Sequence, residues 1–143
     1  MAKTGKGSVP DEFEPAARST FAFLTDELGF DRPLLSVDVQ RTLTYTRGQQ
    51  KIQVRYNLWA NSLITYVTSV WEGTQYRTSL ADLVVAAGLG HRSTLTVSAN
   101  NLRIMGKSLE SQAHYLRLLA PVLQEPAEAA ELMRRADARQ WPA

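Results

Sequence analysis

The sequence predicts an α+β domain in which helices pack on one face of an antiparallel sheet. Apolar residues recur at helical spacing near both ends of the chain, and the middle alternates between apolar and polar residues. Short glycine-containing segments separate the alternating runs, as in a meander of hairpins. The 143 residues are enough for one domain. We expect residues 1–12 to be a disordered tail and residues 13–140 to form a single α+β domain.

The first predicted element is a helix over Phe13–Leu28. Its apolar residues recur at spacings of three and four, which places them on one helical face. Pro15 suits a first turn, and Gly29 stands where a glycine commonly ends a helix. Asp31-Arg32-Pro33 then breaks the helical pattern.

Alternation begins at Leu35 and continues to Tyr45, broken only at Arg41, where we expect a bend or short turn. Thr46–Gln49 contains Gly48 and predicts a hairpin turn. The next strand, Ile52–Leu58, has the cleanest alternation in the chain, with one apolar and one polar face.

A further strand is predicted over Leu63–Trp71, which is rich in β-branched and aromatic residues. It is apolar on both faces, which favours a central or doubly covered strand. Glu72-Gly73-Thr74 predicts a second hairpin turn, and Gln75–Thr78 the returning strand. The result is a meander of four or five strands.

The remainder of the chain, from Ser79 onward, is predicted to be mainly helical. Ser79 predicts the cap of a short helix that ends at Gly88, while His91–Asn101 fits either a strand or a loop. The longest helix is predicted over Leu102–Leu119, with Pro121 kinking or ending it. Pro126 can start a last helix that we expect to dock weakly on the surface; Trp141, near the end of the chain, is compatible with docking or disorder.

Composition excludes several kinds of chemistry. The chain has no cysteine, which excludes disulfides, thiolate metal sites and cysteine catalysis. His91 and His114 are predicted to be solvated, and neither belongs to a pair with metal-ligand spacing. We therefore expect no metal, no cofactor and no enzymatic activity. No apolar run is long enough to predict a membrane span.

Charge is unevenly distributed along the chain. The net charge is +2, but residues 32–107 hold nine basic and three acidic residues, while both flanks are net acidic. The basic part coincides with the predicted sheet. Lys51 and Arg55 share the polar face of one strand, Arg47 precedes them across the turn, and Trp59 follows in a turn region. We select four candidate partner-binding residues: Arg47, Lys51, Arg55 and Trp59.

Two alternatives remain open besides a protein partner. The first is a nucleic-acid-binding or regulatory module that places Arg47, Lys51 and Arg55 against phosphates. RNA-binding sheets also carry exposed aromatics among their basic groups, whereas Tyr45 and Tyr56 fall on the apolar side. The second alternative is a small-ligand pocket between the sheet and the helices, with four candidate lining residues: Tyr45, Tyr56, Tyr66 and Trp71.

Residues 13–88 resemble a group of small bacterial α+β proteins. The resemblance lies in the segment Phe21–Phe30, which ends in Glu-Leu-Gly-Phe, and in the following Leu43-Thr44-Tyr45 and Ile52–Tyr56 with a turn between them. Some proteins of this group resemble immunity proteins that neutralise polymorphic or contact-delivered toxins. The resemblance supplies no catalytic residue.

This resemblance implies a non-enzymatic cytoplasmic binding protein that neutralises a cognate toxin by occluding its active site. Inhibitors of nucleases are often acidic because they replace a polyanion, so this chain does not favour a nuclease target. The partner's identity, the binding face and the oligomeric state are left open by the sequence.

Overall fold

The computed structural model describes residues 7–37 and 40–143. Within these residues the chain forms two N-terminal helices, five strands, three further helices and a last strand. In chain order they are α1 (Val9–Thr20), α2 (Ala22–Asp26), β1 (Leu34–Val37), β2 (Gln40–Arg47), β3 (Gln50–Asn57), β4 (Ser62–Trp71), β5 (Thr74–Ser79), α3 (Leu80–Ala86), α4 (Leu102–Leu123), α5 (Pro126–Arg135) and β6 (Arg139–Pro142). The predicted α+β class is confirmed, with six described strands rather than four or five.

The N-terminal helical segment differs from its prediction at both ends. The Ser8 hydroxyl accepts a hydrogen bond from the backbone N–H of Asp11 at 3.3 Å, which caps α1, and the helix starts at Val9. Residues 9–12 are therefore helical rather than part of a tail; residues 1–6 lie outside the described residues. Phe21 separates α1 from α2, so the prediction of one continuous helix is wrong.

The six strands form a simple meander in which each strand pairs antiparallel with the next. Arg47 pairs with Gln50 across the β2–β3 turn, where Gly48 has a φ of 59°. The β4–β5 turn holds Glu72 and Gly73 at φ values of 50° and 77°, the left-handed conformation that tight hairpins need. Both predicted hairpins are confirmed. Val37 pairs with Arg41, and the residues between β1 and β2, where a bend is predicted, lie outside the described residues.

All the helices pack on one face of the sheet. On this inner face the strands contribute eight buried hydrophobic side chains: Leu43, Tyr45, Ile52, Val54, Tyr56, Leu63, Val67 and Tyr76. The ring of Phe13 on α1 stacks on the ring of Tyr56, with 5.7 Å between their centres. On α4, the side chain of Gln112 is fully buried and accepts a hydrogen bond from the Thr65 hydroxyl at 2.7 Å. The opposite face of the described sheet carries no helix.

Of the two C-terminal helices, α4 is longer than predicted and α5 is better packed than predicted. α4 continues through Pro121 to Leu123, so the predicted end near Leu119 is wrong. α5 begins at Pro126 as predicted, but the expectation of weak docking is wrong, because four of its residues are buried: Ala129, Ala130, Leu132 and Met133. Alanines on this face let the helix approach the sheet closely.

Two ambiguous segments take defined forms. Residues 91–101 form a 3₁₀ turn at Arg92–Thr94 and then a single bridge, Ser98 to Ser62, beside β4. The segment around Trp141 is docked, as β6 on the edge of β5. In the described part of the chain, no helix has the length and apolarity needed to cross a bilayer.

Candidate functional site: a basic sheet face

The helix-free face of the sheet collects the positive charges of the strands. Strand register places Lys51, Thr68, Arg77 and Arg139 opposite one another across β3, β4, β5 and β6, so their side chains form one row. Arg55 lies on the same face, two positions on from Gln53 in β3. We call this surface the basic face and define it by its charged members: Lys51, Arg55, Arg77 and Arg139.

The basic face has no acidic strand residue among those described. A strand carboxylate would have to lie at an outward position to neutralise this face. The outward positions of β1–β6 hold no Asp or Glu. None of the four cations forms a salt bridge within residues 7–37 and 40–143. The described strands therefore give this face positive charge without a carboxylate from the sheet itself.

Tyr66 lies at the centre of this surface. The guanidinium carbon of Arg77 is 4.1 Å from the centre of its ring, and that of Arg55 is 5.4 Å away. Because Arg55 comes from β3 and Arg77 from β5, the ring is flanked by a cation from each neighbouring strand. Such cation–π contacts hold the guanidinium groups in place without neutralising their charge.

Arg77 is the most constrained of the four cations. Burial, followed by the nearby charges of Arg55 and Arg139, lowers the pKa of Arg77 from its usual value, while Tyr66 opposes this shift. Its Nη2 also donates a hydrogen bond to the Gln53 side-chain oxygen at 3.3 Å. The side chain is thus held partly desolvated beside two like charges, an arrangement that an incoming anion stabilises.

Two acidic groups lie at the border of the basic face near α3 and β6. A depression of about 360 Å³ there is lined by Tyr66, Arg77 and Arg139 together with Asp82 and Asp137. Asp82 is already engaged, because its carboxylate pairs with Arg92 and accepts a hydrogen bond from the Thr78 hydroxyl. The positive charge consequently dominates over β3–β5 and weakens toward this border.

A second depression, which we call the apolar groove, adjoins the basic face. It has a volume of about 540 Å³ and is lined mainly by Ile64, Tyr66, Ser79, Ala81, Leu95 and Val97. Ile64, Tyr66 and Ser79 all occupy outward strand positions. Since Tyr66 and Ser79 also line the depression at Arg77, the groove and the arginine cluster are continuous.

Trp59 lies in the turn between β3 and β4, with 79% of its surface exposed. The Asn57 side-chain oxygen accepts hydrogen bonds from the backbone N–H groups of Trp59 and Ala60 at 3.0 and 3.1 Å, which orders the turn. Leu58 beside it is also exposed. An ordered turn that presents a large indole to solvent is typical of a binding anchor.

Of the four residues selected from sequence, the structure brings Lys51 and Arg55 together on the basic face and places Trp59 at the end of their strand. Arg47 lies apart from them, on the inner side of the sheet. Its guanidinium group is 4.3 Å above the ring of Phe30 and donates hydrogen bonds to the Leu28 carbonyl at 2.6 Å and the Gln50 side chain at 2.7 Å. Burial lowers the pKa of Arg47. The expectation that Arg47 shares the face of Lys51 and Arg55 is corrected: it joins the segment that follows α2 to the sheet.

Sequence reasoning missed Arg77 and Arg139, and it assigned Tyr66 to a pocket between sheet and helices rather than to this face. The strand containing Tyr66 is apolar at both parities, which concealed its outward residues. Continuing the alternation through the Glu72-Gly73 turn would have placed Arg77 beside Tyr66, whereas the short β6 gave no strand signal for Arg139. An aromatic residue does therefore lie among the basic groups, although Tyr45 and Tyr56 are core residues as the alternation predicts.

The other candidate sites are dispersed. Tyr45 and Tyr56 are buried in the core while Tyr66 faces outward, so the four residues suggested for a pocket between sheet and helices do not line one cavity. His91 and His114 are both exposed. Among the described residues, no cluster of His, Asp and Glu has a geometry that could hold a metal ion.

Comparison of the chain with protein-family models, with curated proteins and with solved structures gave no match.

Proposed function

We propose that this chain is a non-enzymatic binding protein that docks an acidic protein partner on the basic face. The observation that carries the proposal is the set of four cations, Lys51, Arg55, Arg77 and Arg139, on strands without an outward carboxylate in the described residues. The resemblance of residues 13–88 to immunity proteins suggests the class of partner. It would be a bacterial toxin, bound in the cytoplasm and neutralised by occlusion of its active site.

Electrostatics support a charged partner for this face. The charges of Arg55 and Arg139 contribute to lowering the pKa of Arg77, after burial, so each of them repels Arg77 when the face is free. Carboxylates on a partner would relieve that repulsion and steer association from a distance. The guanidinium group of Arg77 is already ordered by Tyr66 and Gln53, so this side chain loses little conformational entropy on binding.

The β3–β4 turn supports a protein partner in particular. Trp59 and Leu58 are exposed apolar side chains on an ordered turn, and Arg55 is the basic-face residue closest to them along β3. Tryptophan and arginine are the residue types most enriched at the energetic centres of protein interfaces. An interface that covers the turn and the basic face would bury both.

Nucleic-acid binding is the second candidate, favoured by Tyr66 lying among cations. Single-stranded RNA modules stack bases on exposed aromatic rings of this kind. Here, however, guanidinium groups from two neighbouring strands flank the ring, and one of them lies 4.1 Å from its centre. The ring is thus occupied by the protein's own side chains, which ranks the protein partner first.

The proposal is tested by affinity capture of the tagged chain from its native cells, followed by production of each captured protein alone. We expect one stoichiometric, acidic partner that is toxic alone and harmless when this chain is produced with it. A captured protein that is harmless alone, or whose toxicity the chain does not relieve, overturns the immunity function.

A matched pair of variants tests whether the captured partner binds at the basic face. Arg55→Glu/Arg77→Glu reverses two charges on the basic face, whereas Arg103→Glu/Lys107→Glu makes the same change of net charge on the exposed side of α4. Capture and protection should be lost only in the first variant. Recovery of nucleic acid, with affinity that falls about 10³-fold or more between ~50 and ~200 mM salt, would support the second candidate instead.

A further inference from the structure

The apolar groove borders the basic face at Tyr66 and offers a surface for apolar contacts in addition to charge recognition. Its volume of about 540 Å³ lies within the ~300–1,000 Å³ that bound ligands commonly occupy. Ile64, Ala81, Leu95 and Val97 supply an apolar lining, and Val97 is itself partly exposed. Apolar surface left open in this way favours an occupant that can cover it.

The groove is fixed by the fold rather than by a mobile loop. β5 ends opposite Tyr66, and beyond that point the segment carrying Val97 runs alongside β4, where the Val97 carbonyl accepts a hydrogen bond from the Leu63 N–H at 2.7 Å. The Gln112 amide holds the same segment from below by donating to the Thr96 carbonyl at 2.9 Å. These hydrogen bonds fix the walls of the groove in the free protein.

We infer that the groove receives an apolar side chain of the acidic partner, so that the partner's docking segment carries a hydrophobic anchor with carboxylates beside it. This inference rests on the proposed function. The argument for this occupant is charge complementarity: Tyr66 lines the groove, and the guanidinium carbons of Arg55 and Arg77 lie 5.4 and 4.1 Å from the centre of its ring.

Strand geometry sets the spacing of the anchor and the charges. Neighbouring strands are ~4.8 Å apart, and residues two apart along a strand are ~7 Å apart. Arg77 pairs with Thr68, which is four positions beyond Ile64 in β4. The separation between Ile64 and Arg77 is therefore four residues along the strand and one strand across. An extended partner segment would cover that distance in about four to five residues at ~3.3 Å per residue. The anchor and its carboxylates therefore belong to one short segment.

The inference is tested by selecting random peptides of about 12 residues, which span ~40 Å when extended, on the immobilised chain. We expect the enriched peptides to share a large apolar residue with at least two acidic residues within about five positions. Acidic peptides enriched without an apolar position would overturn the anchor and leave the proposed function standing. Enrichment without acidic residues would overturn both, and failure of any peptide to enrich would overturn the anchor alone.

Two matched variants identify the groove as the place where the anchor binds. Ile64→Thr removes apolar wall at an outward position of β4, and Val70→Thr makes the same kind of change on the same face of the same strand, outside the groove. Both keep a β-branched residue, so the strand is preserved. We expect Ile64→Thr to weaken binding of the enriched peptide by about 10-fold and Val70→Thr to leave it unchanged. Equal effects of the two variants would place the anchor elsewhere.

Discussion

The guanidinium carbon of Arg77 lies 4.1 Å from the ring centre of Tyr66, on a sheet face that no described helix covers. An arginine on β5 is thereby held against a tyrosine on β4, with Arg55 of β3 on the other flank. Arginines are almost never fully buried without a pairing group. This pair instead leaves a fixed positive charge directed at solvent, which is the basis of the proposed binding surface.

Arg47 and Lys51 should respond oppositely to truncation, although the sequence placed both in one candidate site. Arg47→Ala removes two hydrogen bonds, to Leu28 and Gln50, and a cation–π contact with Phe30. We expect it to lower the free energy of unfolding by about 1–3 kcal/mol. Lys51→Ala, at an exposed outward position, should change it by less than about 0.5 kcal/mol. Urea denaturation of both variants measures this, and equal losses would contradict the assigned role of Arg47.

Trp59→Ala should separate binding from stability. The side chain is exposed and the turn is held by Asn57 rather than by the indole, so the melting temperature should stay unchanged. Affinity for the captured partner should fall by about 10-fold or more, as for an interface anchor. Trp141→Ala, a tryptophan on the edge strand β6, serves as the comparison. A variant that loses stability but not affinity would show that Trp59 is structural.

The ionisation of Tyr45 should lower the free energy of unfolding at alkaline pH. Burial raises the pKa of Tyr45 to about 12, with Arg18 opposing the shift. Because the unfolded phenol ionises near pH 10, the folded state keeps a proton that the unfolded state has lost between pH ~10 and ~12. The free energy of unfolding should be unaffected below pH ~10 and fall by about 3 kcal/mol toward pH ~12.

Tyr45→Phe supplies the control for that pH dependence. The Tyr45 hydroxyl is buried without a hydrogen-bond partner among the described residues, so removing it should cost little stability at neutral pH. The variant should be less sensitive than the wild type between pH ~10 and ~12, as followed by circular dichroism during urea unfolding. Identical alkaline profiles would refute the assignment to Tyr45.

Substitution of Gln112 should lower the free energy of unfolding more than substitution of most other polar residues in the core. Its amide donates to the Leu63 and Thr96 carbonyls at 2.6 and 2.9 Å and accepts from the Thr65 hydroxyl, so it links α4 to β4 and to the groove wall. Gln112→Ala would leave those buried groups unpaired and cost about 3 kcal/mol or more. Gln124→Ala, the same change at an exposed position after α4, should cost less than about 0.5 kcal/mol. Equal midpoints in urea for the two variants would contradict the role of this network.

The sequence was most informative where one local rule determined the structure. Alternation in Ile52–Leu58 gave the strand and its two faces, and Ser79 gave the helix cap, whose hydroxyl accepts from the Asp82 N–H at 3.2 Å. Gly48 and Gly73 marked both hairpins, because few other residues adopt positive φ at low cost. These features depend on neighbours along the chain and are visible without tertiary contacts.

Features that depend on distant partners could not be predicted in the same way. β6 exists because β5 offers a free edge, and nothing in Arg139–Pro142 signals a strand. α5 is buried through small residues, which a search for large apolar stripes overlooks. Arg47 lies one turn away from Lys51 in sequence, yet the odd–even change across Gly48-Gln49 puts it on the other face. Only part of the candidate site could consequently be predicted. Alternation within β3 placed Lys51 and Arg55 on one face, but the positions of Tyr66 and Arg77 on that face depend on the pairing register of β3, β4 and β5.

The affinity of the captured partner for two charge-reversed variants tests the central claim most directly. Isothermal titration calorimetry would compare Arg55→Glu/Arg77→Glu with Arg103→Glu/Lys107→Glu at one ionic strength, after both are shown to melt as the wild type does. We predict a loss of about 100-fold or more for the basic-face variant and less than about three-fold for the α4 variant. Equal affinities for the two variants would contradict the account, because the basic face would then not be where the partner binds.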